Sequence, residues 1–239
     1  LTFILYTYFG IDPDLAVPLV AVCMFCIGAV IQHTLITPSL GTKSFTNLLF
    51  LTVGLGLLLS NGALVIFGSD YRSIRTAYSQ TYIPIGPVTM ALPRMISFGV
   101  LVVVTIALFV FLKYTTIGKQ IRAVSQNAVG AEVVGIDVKR IYILTYGLGV
   151  ALAGTAGALL TQFYTIFPTA GASFGFRALI VVVVGGLGSI PGAFLAGIFL
   201  GLLETMSALF ISPSYSDLIV FMTFIIILVV RQTMIARRK

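Results

Sequence analysis

An all-α, polytopic transmembrane helical bundle is the fold class this sequence predicts, on three observations. First, of 239 residues 59% are hydrophobic and only 9% charged, whereas a soluble domain carries about 25% charged residues because its surface must be solvated. The apolar residues exceed what a soluble core of this size encloses, so the surplus faces lipid. Second, they form continuous runs, not the alternating pattern of a membrane β-barrel, and a lone strand in lipid would leave its backbone groups unpaired. Third, the charges fall mostly between and beyond these runs, where Lys and Arg set topology. The net charge of +7 therefore does not mark a nucleic-acid surface. The partner that composition demands is the lipid membrane.

Crossing a hydrocarbon layer of ~30 Å takes about 20 residues at ~1.5 Å each. Suitable runs cover residues 16–36, 46–67, 95–112, 141–163, 176–190, 193–211 and 218–230. This gives about seven spanning helices, with 1–9 as part of an eighth, in a single transmembrane domain over 1–239. The chain enters "LTFILYTYF" directly, without Met or a basic leader. That reads as the end of a spanning helix, not a signal peptide, and the sequence is expected to be N-terminally incomplete.

Orientation follows from the basic residues. With 113–140 and the tail 231–239 cytoplasmic, alternation also places Lys43 inside, and ten of the fourteen basic residues then share that side, as the positive-inside rule favours. The C-terminus is expected to be cytoplasmic. Arg72, Arg75 and Arg94 lie in or beside an extracytoplasmic loop, 68–93, and Arg177 is the remaining exception. That loop carries Pro84, Pro87 and Pro93 and is expected to be ordered but not helical throughout.

Within the runs, Gly149, Ala153 and Gly157, and likewise Ala193, Gly197 and Gly201, recur every four residues. Such stripes predict close helix packing. "GGLGSIPG" (residues 185–192) places Gly185, Gly186, Gly188 and Ser189 at a helix break. Two readings stay open: a bend, or backbone groups lining a substrate path. It is no nucleotide cradle, because the Gly-x-Gly-x-x-Gly spacing fails after Gly186 and Gly188 and no Walker A Lys follows. No cofactor is expected of this chain. Polar residues in lipid are functional candidates because they are costly there. Glu204 is the clearest; Gln162, Asn47, Asn61 and Arg177 lie near helix ends, where snorkelling serves, and Glu204 and Gln162 are carried as substrate-path candidates. Glu204 fits either a pair with Arg177 or a hydrogen bond to a neighbouring helix. Cys23 and Cys26 read as ordinary helix residues, and the single His33 as an interfacial residue, not a metal ligand. No catalytic motif is present, so no enzyme activity is expected.

The strongest functional signal lies between Leu112 and Ile141: "KYTTIGKQIRAVSQNAVGAEVVGIDVKR". The stretch is polar and basic, yet Ile121, Val124 and Ala128, then Ala131, Val134 and Gly135, recur at helical spacing. This predicts a pair of short amphipathic helices with an apolar face turned outward; a solvated or membrane-skimming loop is the alternative. The many small residues would let a partner surface approach closely.

Together with "GGLGSIPGA" and "PSYSDLIVF", this stretch resembles the LivH-type permeases of bacterial branched-chain amino-acid ABC importers. Their loop reads approximately G-x-x-x-R-A-x-x-Q/E-(x)-A-x-x-x-G-I-(N/D)-x-x-R. Here Gly118, Arg122, Ala123, Gln126, Ala131, Gly135, Ile136, Asp137 and Arg140 supply it in order. The resemblance covers essentially the whole chain but lacks roughly the family's first two spanning helices. It implies a non-catalytic permease subunit of the bacterial inner membrane. Its partners would be a second permease subunit, identical or not, cytoplasmic subunits that bind ATP, and an extracytoplasmic solute-binding protein. It also implies that the loop is the coupling element for the ATPase, with Gly118, Arg122, Ala123, Gln126, Ala131, Gly135 and Asp137 carrying that role. An ion-coupled secondary transporter or channel for small polar solutes is the alternative, for which Glu204 is thin support.

Overall fold

The computed structural model describes residues 1–40, 45–71, 73–74, 81–85, 88–167 and 169–236. Lys43, Arg72, Arg75, Pro87 and the tail residues 237–239, used above for topology, lie outside them. Every apolar run becomes a helix: α1 (Thr2–Phe9), α2 (Pro13–Ile31), α3 (Thr37–Leu40), α4 (Phe45–Phe67), α5 (Leu92–Tyr114), α8 (Val138–Leu160), α9 (Ala170–Gly185), α10 (Ile190–Phe210) and α11 (Pro213–Ala236). Two further helices, α6 (Thr116–Gln126) and α7 (Ala128–Val133), fall in the polar stretch. Among the described residues five helical stretches are long and apolar enough to cross a membrane: Pro13–Ser39, Thr46–Phe67, Leu92–Tyr114, Val138–Leu160 and Ile190–Phe210. Ala170–Gly185 and Tyr215–Val230 are shorter apolar helices.

Among the described residues strands occur in the loop before α5, where β1 (Tyr82–Ile85) pairs antiparallel with β2 (Val88–Ala91), Tyr82 opposite Ala91. This hairpin runs straight into α5. The Leu92 N–H donates to the Thr81 carbonyl at 3.0 Å, and Pro93 occupies the first turn of the helix, where a missing N–H leaves nothing unpaired.

The chain divides into two compact units, Leu1–Pro168 and Thr169–Lys239. In the first, α2 packs along α8. Ala16, Val17 and Val20 bury against Ala158 and Leu159. The glycine stripe that serves this contact is not the one spacing suggested. A Cβ at Gly154 would come within 2.6 Å of Met24 Cγ, and one at Gly147 within 3.0 Å of Phe25 Cε2, whereas Gly149 and Gly157 have nothing within 4 Å. Small residues lie on two faces of α8, and four-residue spacing identifies a stripe without identifying which face meets a neighbour. Beyond α2 the helix widens into a π-turn, Gln32–Ile36, with Gln32 buried and His33 exposed.

In the second unit α9, α10 and α11 enclose Ile180, Leu200 and Val220, flanked by Val181, Leu203 and Phe224. The run expected to span 176–190 stops as a helix at Gly185. Gly186 (φ +92°) and Gly188 (φ +86°) take a left-handed backbone that favours glycine. Ser189 then opens α10 by accepting the Gly192 N–H at 3.1 Å. Of the two readings of "GGLGSIPG", the bend describes the backbone here. Of the second predicted stripe, Gly197 makes ordinary contact with Val181, while Gly201 has open space.

Candidate functional site

The polar stretch after α5 folds as a repeatedly capped structure. Thr115 opens α6: its Oγ1 accepts the Gly118 N–H at 3.0 Å and donates to the Phe111 carbonyl at 2.6 Å. Asn127 opens α7 by accepting the Gly130 N–H at 2.9 Å. Asp137 opens α8 by accepting the Arg140 N–H at 3.1 Å, and it also pairs with the Arg140 guanidinium at 2.8 Å. Each such cap satisfies a backbone donor the helix cannot satisfy itself, worth about 0.5–2 kcal/mol. At the other end of α7, the Gly135 N–H donates to the Glu132 carbonyl and the Ile136 N–H to the Ala131 carbonyl, both at 3.0 Å. This double closure requires the left-handed backbone that Gly135 adopts at φ +86°.

The predicted helix pair exists, but its apolar face points the other way. Val124 and Ala131 bury against Ile141 at the start of α8, with Ile121, Ala128 and Ile136 packed around them. These residues find their partner within the chain, so an outward face is not needed to satisfy them. Val134, expected on that face, is 75% exposed, and Val129 and Val133 are 73% and 82% exposed. These three valines form an apolar patch on an otherwise polar loop.

The residues carried over from the family signature mostly build this structure. Gly118 and Ala131 are buried and Ala123 is half-buried, while Gln126 and Gly135 are exposed. Arg122, though exposed, turns back to donate from Nη1 to the Leu112 carbonyl at 2.6 Å. Asp137 is spent on its cap. Val134 was among the residues the periodicity picked out; Val129 and Val133 were not, and their signal was their spacing, one turn apart on the side of α7 opposite Ala131.

The second unit holds a charged cluster. Arg177 donates from Nη1 to Glu204 Oε1 at 2.7 Å and from Nη2 to Asp217 Oδ1 at 2.6 Å. The Arg177–Glu204 pair weighed from sequence is present, and Asp217 joins it from α11. Counted along each helix, the three residues lie about 6–11 Å from one end of α9, α10 and α11, the same end of the antiparallel bundle.

In the first unit Gln162 is buried and its Nε2 donates to Asp14 Oδ1, an acid on α2 that the sequence did not single out. Gln162 Oε1 has no hydrogen-bond partner among the described residues. Nearby, the Arg94 guanidinium lies 5.9 Å from the centre of the Phe163 ring. A cavity of about 340 Å³ opens in the same unit, lined largely by apolar side chains such as Val20, Met24 and Phe67, with Asp70 and Thr161 as polar members. Gly185, Gly186, Gly188 and Ser189 form the α9–α10 turn and are not part of these clusters.

Against known families, residues 1–228 match the family described as branched-chain amino acid transport system / permease component. The chain belongs to this family. As a permease component it is non-catalytic and, with its several apolar helices, a multi-pass membrane protein. It is similar to the high-affinity branched-chain amino acid transport system permease protein LivH of Escherichia coli, 38% identical over 134 residues, which is 56% of this chain and 44% of that protein. It is also similar to the corresponding permease protein BraD of Pseudomonas aeruginosa, 30% identical over 191 residues, 78% of this chain and 62% of that protein. The ribose import permease protein RbsC of Bacillus subtilis is 31% identical over 145 residues, 58% of this chain and 42% of that protein. The chain thus spans about half the length of these curated relatives. No solved structure matches it significantly.

Proposed function

We propose that this chain is the membrane-spanning permease of an ABC importer in the bacterial inner membrane. It moves branched-chain or related amino acids, while partner subunits in the cytoplasm bind and hydrolyse ATP. An extracytoplasmic solute-binding protein delivers the substrate, and a second permease subunit completes the pore. Family membership supports the transport role, and the substrate class follows the names of the LivH and BraD relatives.

The observation that carries the mechanism is the α6–α7 pair. It is capped at every helix start, anchored by Val124 and Ala131, and presents Val129, Val133 and Val134 to solvent. Exposed apolar side chains on a polar loop are unfavourable in water and suit a groove on another protein. Seated in the ATPase subunit, such a knob follows the groove when nucleotide binding moves it, and the helices attached to the knob rock with it. Rocking opens the substrate path alternately to each side. A secondary transporter draws only on Glu204, whose charge is already met by Arg177.

The test is Val133→Asp in the assembled importer. Losing one valine's burial and placing a charge in the groove is expected to weaken association with the ATPase subunit by more than about tenfold, measured by co-purification, with the variant still in the membrane. Undiminished association, or uptake that proceeds without any ATPase subunit, overturns the assignment.

A further inference from the structure

The polar contacts between α5 and α6 point to a residue that transmits force instead of touching the partner. Helix α5 ends at Tyr114, so the carbonyls of its last turn have no partner within the helix. The Phe111 carbonyl is met by the Thr115 N–H and hydroxyl, at 3.1 and 2.6 Å. The Leu112 carbonyl is met from ten residues further on, by Arg122 Nη1 at 2.6 Å. A guanidinium at this position also meets the negative end of the helix dipole. Between these contacts Gly118 sits directly on the α5 backbone: a Cβ there would fall 2.5 Å from Leu112 Cα and 2.6 Å from the Phe111 carbonyl oxygen. Only a glycine permits this approach.

We propose that Arg122 is a positioning residue that clasps the coupling pair to α5, so that α6 and α5 move as one body. The inference rests on the docking role proposed above. Its content is different: Arg122 and Gly118, which the family resemblance placed at the ATPase contact, act inside the permease. Among the described residues, the opposite face of α6 meets α8 through non-directional apolar packing around Val124 and Ile141, Tyr142 included. A charge-assisted hydrogen bond to a fixed carbonyl sets direction and distance. The other end of α5 begins at the β1–β2 hairpin, bound through Leu92 and Thr81. A thrust on the coupling pair is therefore delivered along an unbroken helix about 34 Å long to the outer loop.

The experiment uses the assembled importer in proteoliposomes, with Cys23 and Cys26 replaced. Three quantities are read: cross-linking of Val133→Cys to the ATPase subunit, radiolabelled L-leucine taken up per ATP hydrolysed, and the distance distribution between spin labels at Val110→Cys and Lys119→Cys. For Arg122→Gln the expected result is cross-linking as in the parent, a broadened label distance, and leucine per ATP lowered about tenfold, the worth of one charge-assisted hydrogen bond. Arg122→Lys restores a cation at the carbonyl and recovers most of the coupling. Gly118→Ala, which pries the helices apart without altering charge, reproduces the Arg122→Gln phenotype. An unchanged label distance and unchanged coupling in Arg122→Gln overturn the proposal. So does loss of the Val133 cross-link in that variant, because Arg122 would then act at the docking surface. Absence of the cross-link in the parent removes the docking role itself.

Discussion

Arg177 meets two carboxylates at once, Glu204 on α10 and Asp217 on α11, at 2.7 and 2.6 Å. Each contact ties α9 to a different neighbour, and a lone charge at this depth of an apolar bundle is unfavourable unless paired. All three side chains keep part of their surface accessible, which places the pairs between the small worth of exposed ion pairs and the larger penalty of breaking buried ones. Arg177→Met leaves two carboxylates facing each other without a cation and is expected to destabilise the chain by about 1–2 kcal/mol. Glu204→Gln keeps an acceptor for Arg177 and is expected to cost less. Thermal unfolding of the purified chain in detergent orders the two, and a Glu204→Gln variant that melts below Arg177→Met contradicts this account. The sequence exposed Arg177 and Glu204 as costly residues in apolar runs. It could not pair them with Asp217, which stands at the polar start of α11 and carries no sign of being intramembrane.

At the level of elements, α2 and α8 meet through glycines that spacing did not distinguish from their neighbours. Gly154→Leu drives a side chain into Met24, where overpacking is expected to cost about 1–3 kcal/mol. Gly149→Leu enters open space and is expected to leave stability within about 0.5 kcal/mol of the parent. Equal melting temperatures for the two variants sink this assignment of the packing face. The α6–α7 pair follows the same rule. Its helical periodicity was legible in Ile121, Val124, Ala128 and Ala131, whereas its caps at Thr115, Asn127 and Asp137 emerged from the structure. The direction of its apolar face was not legible, since periodicity is a property of one helix and facing is a property of two.

For the whole molecule, α5 links the β1–β2 hairpin to the α6–α7 pair, and its 23 residues make it about 34 Å long, enough to cross a membrane. Single cysteines at Thr89 and Lys119, in a chain freed of Cys23 and Cys26, are expected to react with an impermeant thiol reagent from opposite sides, with Lys119 on the cytoplasmic side. Reaction of both from one face rejects α5 as a spanning helix. The sequence by itself determined that the chain is a membrane-spanning helical bundle, where its helices lie, and that the stretch 113–140 is a polar, periodic interruption of the apolar runs. Those properties depend on apolar content and local periodicity, which each segment carries alone. Only the tertiary structure decided that Gly147 and Gly154, not Gly149 and Gly157, take the close contact, that Arg122 reaches back to Leu112, and that Val129, Val133 and Val134 stay exposed. Each of these depends on which surface a neighbouring helix covers, and that is fixed by packing between segments far apart in the chain.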